Sequence, residues 1–119
     1  MTAYVLAKTA VATATIALAL SNGQSQAVNP SAGQAPINPQ TQTFEVVATT
    51  QSGNVSATVQ IYASNDGSNW VPYGSAITVS SGASPQVAAA NGSQPWQFYT
   101  ALVSAITGTG AQVVVTMGV

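Results

Sequence analysis

Apolar and polar residues alternate with a period of two along much of the second half of the chain. Phe44, Val46 and Ala48 alternate with the residues between them, and the same pattern runs through 57–63. Such alternation predicts β-strands with one buried face. Further strands are predicted at 70–73, 76–80, 98–106 and 112–117, with turns at 51–54, 65–69 and 108–110 and loops at 82–85 and 91–95.

Short strands separated by frequent turns are typical of all-β folds. The spacing predicts a single β-sandwich or jelly roll over residues 43–119. Asp66-Gly67 is the residue pair that favours a type I′ hairpin turn, and Gly108 to Gly110 predict a terminal hairpin. No segment predicts a helix.

The first 42 residues form a separate region of different composition. Even positions from 10 to 20 are apolar, and β-branched residues lie between them, which predicts a strand. Residues 21–42 contain Pro30, Pro36 and Pro39, which predict an extended segment. Residues 1–42 are therefore an N-terminal strand with an extended arm or linker. Whether the arm is disordered or orders against a neighbouring molecule stays open.

Residues 1–27 also imitate a secretory signal. Lys8 precedes an apolar stretch at 9–20, and small residues follow at 25–27. Tyr4, Val5 and Leu6 before the positive charge, and the threonines within the stretch, weigh against this interpretation. The stretch is also too short to span a bilayer. We expect these residues to belong to the fold or to the arm.

Groups that perform chemistry are almost absent from the chain. It has one Lys, one Glu and one Asp, no Arg, His or Cys, and a charged fraction of 3%, where about 25% is usual. Catalysis and metal binding require clustered titratable or ligating groups. We therefore expect neither an enzyme nor a cofactor or metal site. The net charge of −1 predicts no attraction to nucleic acid or acidic membranes, and it favours self-association.

The two acidic residues have structural explanations. Glu45 lies on the outward phase of its strand, which predicts a solvated carboxylate. Asp66 is expected to accept backbone N–H groups within its own turn, as Asx residues do.

The aromatic residues are the remaining candidates for a binding surface. Trp70 and Trp96 are expected to cover the core or anchor a subunit interface rather than to stack on sugar rings. Tyr62, Tyr73 and Tyr99 form an alternative exposed set suited to a subunit contact, where aromatic residues are enriched. The candidate interface residues are Tyr62, Trp70, Tyr73, Trp96 and Tyr99.

Three motifs resemble small structural proteins of tailed bacteriophages. They are the hairpin Ile-Tyr-Ala-Ser-Asn-Asp-Gly-Ser-Asn-Trp at 61–70, Gly-Thr-Gly-Ala at 108–111, and the ending Val-Val-Val-Thr-Met-Gly-Val at 113–119. The resemblance covers 43–119. Relatives often carry an Arg in the strand that reads Phe-Tyr-Thr at 98–100, so a salt bridge from that Arg is not expected here.

This resemblance implies a virion structural protein. The expected role is a capsid decoration or cement protein on the capsid surface. We expect it to stabilise the shell by docking its β-sandwich as an oligomer and by contacts of the N-terminal arm with a neighbour. Its partners would be the major capsid protein and copies of itself.

A second resemblance competes with the first. The spacing of Tyr62, Ser64, Asp66-Gly67, Trp70 and Tyr73 is similar to a hairpin of discoidin-type galactose-binding jelly rolls. The sugar sites of those domains typically use Arg or His, and this chain has neither. The alternative function is a carbohydrate-binding or other component of a phage tail or baseplate, with a sugar as ligand.

Overall fold

The computed structural model describes residues 3–30 and 41–119, in which eight strands and one helix occur. The elements are β1 (Ala3–Thr9), α1 (Ile16–Ser21), β2 (Gln42–Thr49), β3 (Ser52–Ser64), β4 (Val71–Pro72), β5 (Ile77–Ala83), β6 (Gln86–Gly92), β7 (Phe98–Thr109) and β8 (Gln112–Gly118).

The strands form two antiparallel sheets that pack face to face, and the predicted all-β sandwich is confirmed. The first sheet has the order β1-β8-β2-β6. In the second sheet, β3 is central, with β7 along one side and with β4 and β5 along the other. The chain crosses between the sheets several times, because β2 and β3, β5 and β6, and β7 and β8 lie in different sheets.

The core follows from the alternation read in the sequence. In β2, Phe44, Val46 and Ala48 are buried while Glu45 is exposed, because successive side chains of a strand point to opposite faces. The same rule buries alternate residues of β3 from Val55 to Ala63. The inner faces of the two sheets therefore share one apolar core, and removal of this surface from water is the main stabilising contribution.

The N-terminal region differs from the prediction. The strand is β1 at Ala3–Thr9, and the predicted strand at 10–20 is wrong because Ile16–Ser21 is helical. The side chain of Thr15 caps this helix by accepting the backbone N–H of Leu18 at 3.3 Å. Ala and Leu, which fill most of the turn and a half that follows, have high helix propensity. These local preferences outweigh the period of two.

Residues 24–28 connect the outer edges of the two sheets. The N–H of Gln26 donates to the carbonyl of Leu6 in β1 at 2.9 Å. Val28 and Tyr99 of β7 exchange two backbone hydrogen bonds of 2.9 Å each. This segment therefore closes one open side of the sandwich. Leu6 is fully buried in the core. The division of the chain at residue 42 stays a prediction, and residues 31–40 of the arm predicted at 21–42 lie outside the described residues.

Three further expectations are corrected. The strand β6 falls in a region where the sequence predicted none, between the loops expected at 82–85 and 91–95. The strands β7 and β8 do not form the expected terminal hairpin, because they belong to different sheets. The turn at Asp66-Gly67 is not type I′, because that turn needs a positive φ at both central residues and only Gly67 has one, at 76°.

Candidate functional site

A network of aromatic rings and amides lies at one end of the sandwich. The hydroxyl of Tyr73 donates to Oε1 of Gln42 at 2.6 Å and accepts the backbone N–H of Gln94 at 2.9 Å. The amide Nε2 of Gln42 donates to the carbonyl of Gln94 at 3.2 Å. Gln42 begins β2, Tyr73 follows β4, and Gln94 lies in the loop before β7. The network therefore ties both sheets to that loop.

Tyr99 completes this network from inside the core. Its hydroxyl donates to the carbonyl of Gln94 at 2.9 Å and accepts the N–H of Trp96 at 2.8 Å. Its ring lies 5.9 Å from that of Tyr73, measured between centroids. Burial raises the pKa of the Tyr99 hydroxyl above its ordinary value, because the phenolate would lose its hydration. The hydroxyl therefore stays protonated and acts as a structural donor.

Gly92 allows the network to form at close range. A Cβ atom at this position would collide with the Tyr73 hydroxyl and with the side chain of Gln42. A glycine here lets the end of β6 pass against the aromatic network.

A small cavity lies beside the network. Its volume is about 40 Å³, and its lining includes Phe44, Ile61, Tyr73, Ile77 and Ala90. Ligand pockets usually measure about 300–1,000 Å³. A space of this size holds about one water molecule and excludes a sugar or a cofactor.

Asp66 is used within its own turn, as the sequence predicted. Its Oδ1 accepts the N–H groups of Ser68 and Asn69 at 2.9 and 2.8 Å and the hydroxyl of Ser64 at 2.8 Å. The Oδ2 atom accepts the side-chain amide of Asn69 at 2.7 Å. The donors on Asn69, first the backbone N–H and then the side chain, hold the pKa of this carboxyl well below its usual range. Both oxygens are occupied, so the carboxylate stabilises the turn.

Glu45 and Lys8 are exposed on the first sheet, also as predicted for Glu45. Glu45 lies on a different sheet from the turn that holds Asp66. Within 3–30 and 41–119, no group of three or more His, Cys, Asp or Glu side chains is placed to hold a metal ion.

The predicted interface residues are distributed over different environments. Tyr99 is fully buried, so the expectation that it belongs to an exposed aromatic set is wrong. Tyr73 and Trp96 are half-buried and pack against the core, which agrees with a lid role for Trp96. Tyr62 and Trp70 are also half-buried. The role of these four residues at a subunit contact stays a prediction.

The outer face of the second sheet carries one unusual polar residue. Thr100 lies opposite Tyr62 on the neighbouring strand and is fully buried. Its hydroxyl has no hydrogen-bond partner in the described part of the chain. Buried hydroxyls are normally paired, because leaving one unpaired costs free energy.

The sequence did not indicate Gln42, Gln94 or Thr100. Gln42 and Gln94 lie in polar segments next to prolines, where amides usually face water. Their role depends on the loop that brings them to Tyr73 and Tyr99, and nothing local in the sequence reports that approach.

No family model, curated protein or solved structure matches the chain. Among the described residues, no helix is both long and apolar enough to cross a bilayer.

Proposed function

We propose that this chain is a structural protein of a tailed-bacteriophage particle, most specifically a decoration protein bound to the outer surface of the capsid. The observation that carries this proposal is the near absence of charged and reactive side chains, at 3% of residues, together with the phage-like motifs at 61–70 and 108–119. The role is passive and requires no chemistry.

The state of the acidic and aromatic residues supports a structural role. Both oxygens of Asp66 are occupied inside its turn. Tyr73 and Tyr99 hold a loop between the two sheets. The small cavity, of about 40 Å³, is far below the size of a ligand pocket. These polar groups stabilise the fold, which leaves the outer faces and strand edges as the means of contact.

Because the protein has few charged side chains, it contacts the capsid shell through apolar atoms, amides and backbone groups. Exposed apolar side chains are distributed over the surface at Val5, Val11, Leu18, Val71 and Val87. With so few charges, binding should depend only weakly on salt. Because β1 pairs with β8 on one side and bonds to residues 24–26 on the other, its backbone edge is not open to a capsid strand, while exposed side chains such as Val5 remain open to contact.

The experiment that tests the proposal is quantitative mass spectrometry of the purified particle encoded by the same genome. The expected result is many copies, in a simple ratio to the major capsid protein. A few copies per particle would move the protein to the tail, and its absence from particles would overturn the proposal.

A second measurement separates decoration from an integral shell role. Particles lacking the chain should assemble and then bind the purified protein at saturating stoichiometry. Failure of shells to assemble without it would contradict a decoration role.

The second candidate function is sugar binding by a tail appendage. The observation that favours it is the placement of two half-exposed aromatic residues, Tyr62 and Trp70, at the same end of the second sheet, where Tyr62 pairs with Pro72. Aromatic rings with one exposed face can stack on sugars. A glycan array with the wild type and Trp70→Ala tests this function, and binding that Trp70→Ala abolishes would support it.

A further inference from the structure

The two sheets of the sandwich end in edge strands, and these differ in how they are protected. An unprotected edge presents aligned backbone N–H and C=O groups to any other strand. Proteins normally prevent such pairing with charges, prolines, bulges, very short strands or covering segments. In this protein the edges are β1 and β6 in the first sheet, and β7 and β5 with β4 in the second.

The β1 edge is protected in three ways. It carries Lys8, it is bulged between Val5 and Ala7, and the segment 24–26 covers it. A backbone hydrogen bond of 3.2 Å from Lys8 to the carbonyl of Gln24 belongs to this cover.

The β7 edge is covered by the same region of the chain. Val28 pairs with Tyr99, and the N–H of Thr13 donates to the carbonyl of Val103 at 3.0 Å. The hydroxyl of Ser25 donates to the carbonyl of Ala101 between these two points.

The remaining edge of the second sheet, formed by β4 and β5, is irregular. The strand β4 has only two residues, and one of them is Pro72, which has no N–H group. Beside it, the pairing of β5 with β3 shifts register between Val55 and Ala57, so that β5 is bulged. A bulge twists an edge away from regular pairing.

Within residues 3–30 and 41–119, none of these protections occurs in β6. The strand has seven residues, with no proline and no charge, and its pairing with β2 is unbroken from Gln86 to Gly92. Within the described chain, β2 is the only strand paired with it. Val87, on its outer face, is 57% exposed.

We propose that the edge of β6 pairs antiparallel with β6 of a second copy of this chain. The pairing would join the first sheet of one copy, which has four strands, to the first sheet of the other, and the two would form one continuous sheet. A second copy is the fitting partner because a two-fold contact places the same surface on both sides. The central residues Ala88, Ala89 and Ala90 are small, and the strand carries no charge that would repel its equivalent.

The two-fold axis passes between Ala89 and Ala89 of the second copy. In this register Ala89 faces Ala89 of the second copy, and Val87 faces Asn91. Glu45 lies next to Ala89 on the adjacent strand, one strand away from the contact. The pairing specifies how copies contact each other in the oligomer of the proposed function, and its biological role rests on that proposal. Its solution test is independent of copy number in particles.

Sedimentation analysis of the full chain over a wide concentration range tests the pairing. The wild type should dimerise. Ala89→Glu places two like charges across the axis, beside Glu45 of each copy, and should weaken the dimer at least about tenfold. The matched control is Gln112→Glu, which adds the same charge to an exposed site on the central strand β8 and should leave the dimer unchanged.

Mixing two variants of residue 89 tests whether this residue faces its equivalent in the second copy. Ala89→Lys mixed with Ala89→Glu should restore a dimer, because opposite charges then face each other. Hydrogen exchange of the wild type gives a readout that needs no variant, since protection of the 86–92 amides should rise with concentration.

A wild type that stays monomeric at every concentration overturns the proposal. A dimer equally sensitive to both glutamate substitutions, or 86–92 amides whose exchange is independent of concentration, overturns it as well. In each of these three cases a high copy number in particles would leave the proposed function standing.

Discussion

The hydroxyl of Tyr73 lies 2.6 Å from Oε1 of Gln42 and joins the beginning of β2 to the segment after β4. The two residues are 31 positions apart in the sequence; Gln42 lies in the first sheet, and Tyr73 directly follows β4 of the second sheet. Gln42 is almost completely buried, so this hydrogen bond lies where water competes poorly.

Tyr73→Phe should therefore destabilise the protein. The ring and its edge contact with Phe44 remain, while Gln42 and the N–H of Gln94 lose their bonds to the hydroxyl. We expect the free energy of unfolding to fall by about 1–2 kcal/mol, measured by urea denaturation. Tyr62→Phe is the matched control, because the Tyr62 hydroxyl takes no part in this network. Equal losses in both variants would contradict the role of the network.

Thr100→Val should stabilise the protein. The substitution keeps the shape and the β-branch and removes a buried hydroxyl that no described residue pairs. We expect a gain of about 1 kcal/mol in the free energy of unfolding. Thr100→Ser, which keeps the hydroxyl and removes the methyl group, should be less stable than the wild type. A loss of stability in Thr100→Val would show that the hydroxyl has a partner in solution.

Leu6→Ala should destabilise the protein by about 3 kcal/mol, because Leu6 is fully buried in the core and truncation leaves a cavity. Its neighbour Val5 is 42% exposed, and Val5→Ala should cost less than about 1 kcal/mol. The comparison decides whether β1 is an integral part of the sandwich. If Leu6→Ala unfolds at the same denaturant concentration as Val5→Ala, the N-terminal region is a dispensable arm.

Stability should be nearly constant between about pH 5 and 9, because the chain has no histidine. The folded state lowers the pKa of Asp66, so its contribution is present above about pH 4 and is lost as the pH falls further. The folded state raises the pKa of Tyr99, so its contribution is present below about pH 10 and is lost above it.

Thermal unfolding followed by circular dichroism from pH 2 to 11 measures both limits. Asp66→Asn should reduce the fall of the unfolding temperature at low pH, and Tyr99→Phe should reduce its fall at high pH. A sharp change in the unfolding temperature of the wild type near pH 6 would contradict the assignment of the pH dependence to Asp66 and Tyr99.

The parts of the fold that could be predicted are those with strong local contrast. Phe44, Val46 and Ala48 alternate with more polar neighbours, and this alternation located β2. The Asx turn at Asp66 also depends only on nearby residues. In contrast, the three central residues of β6 are Ala, which has no strong preference for either face, so that no alternation could be recognised.

The candidate site could be predicted only in part. Tyr73 and Trp96 were selected as aromatic residues, and both pack against the core. Tyr99 was expected on the surface, but it is fully buried. Val28 covers the edge of β7 at this residue, and the ring of Tyr99 lies in the core. Aromatic residues occupy both surfaces and interiors, so their type alone does not distinguish these positions.

The sequence by itself determined the all-β class, the alternating core strands and the scarcity of charged residues, because these depend on composition and on neighbouring residues. The tertiary structure alone decided that β1 precedes a short helix, that β7 and β8 join different sheets, and that β6 pairs with β2 alone among the described strands. These features depend on pairing between distant segments, whose energies are set by contacts that no local pattern records.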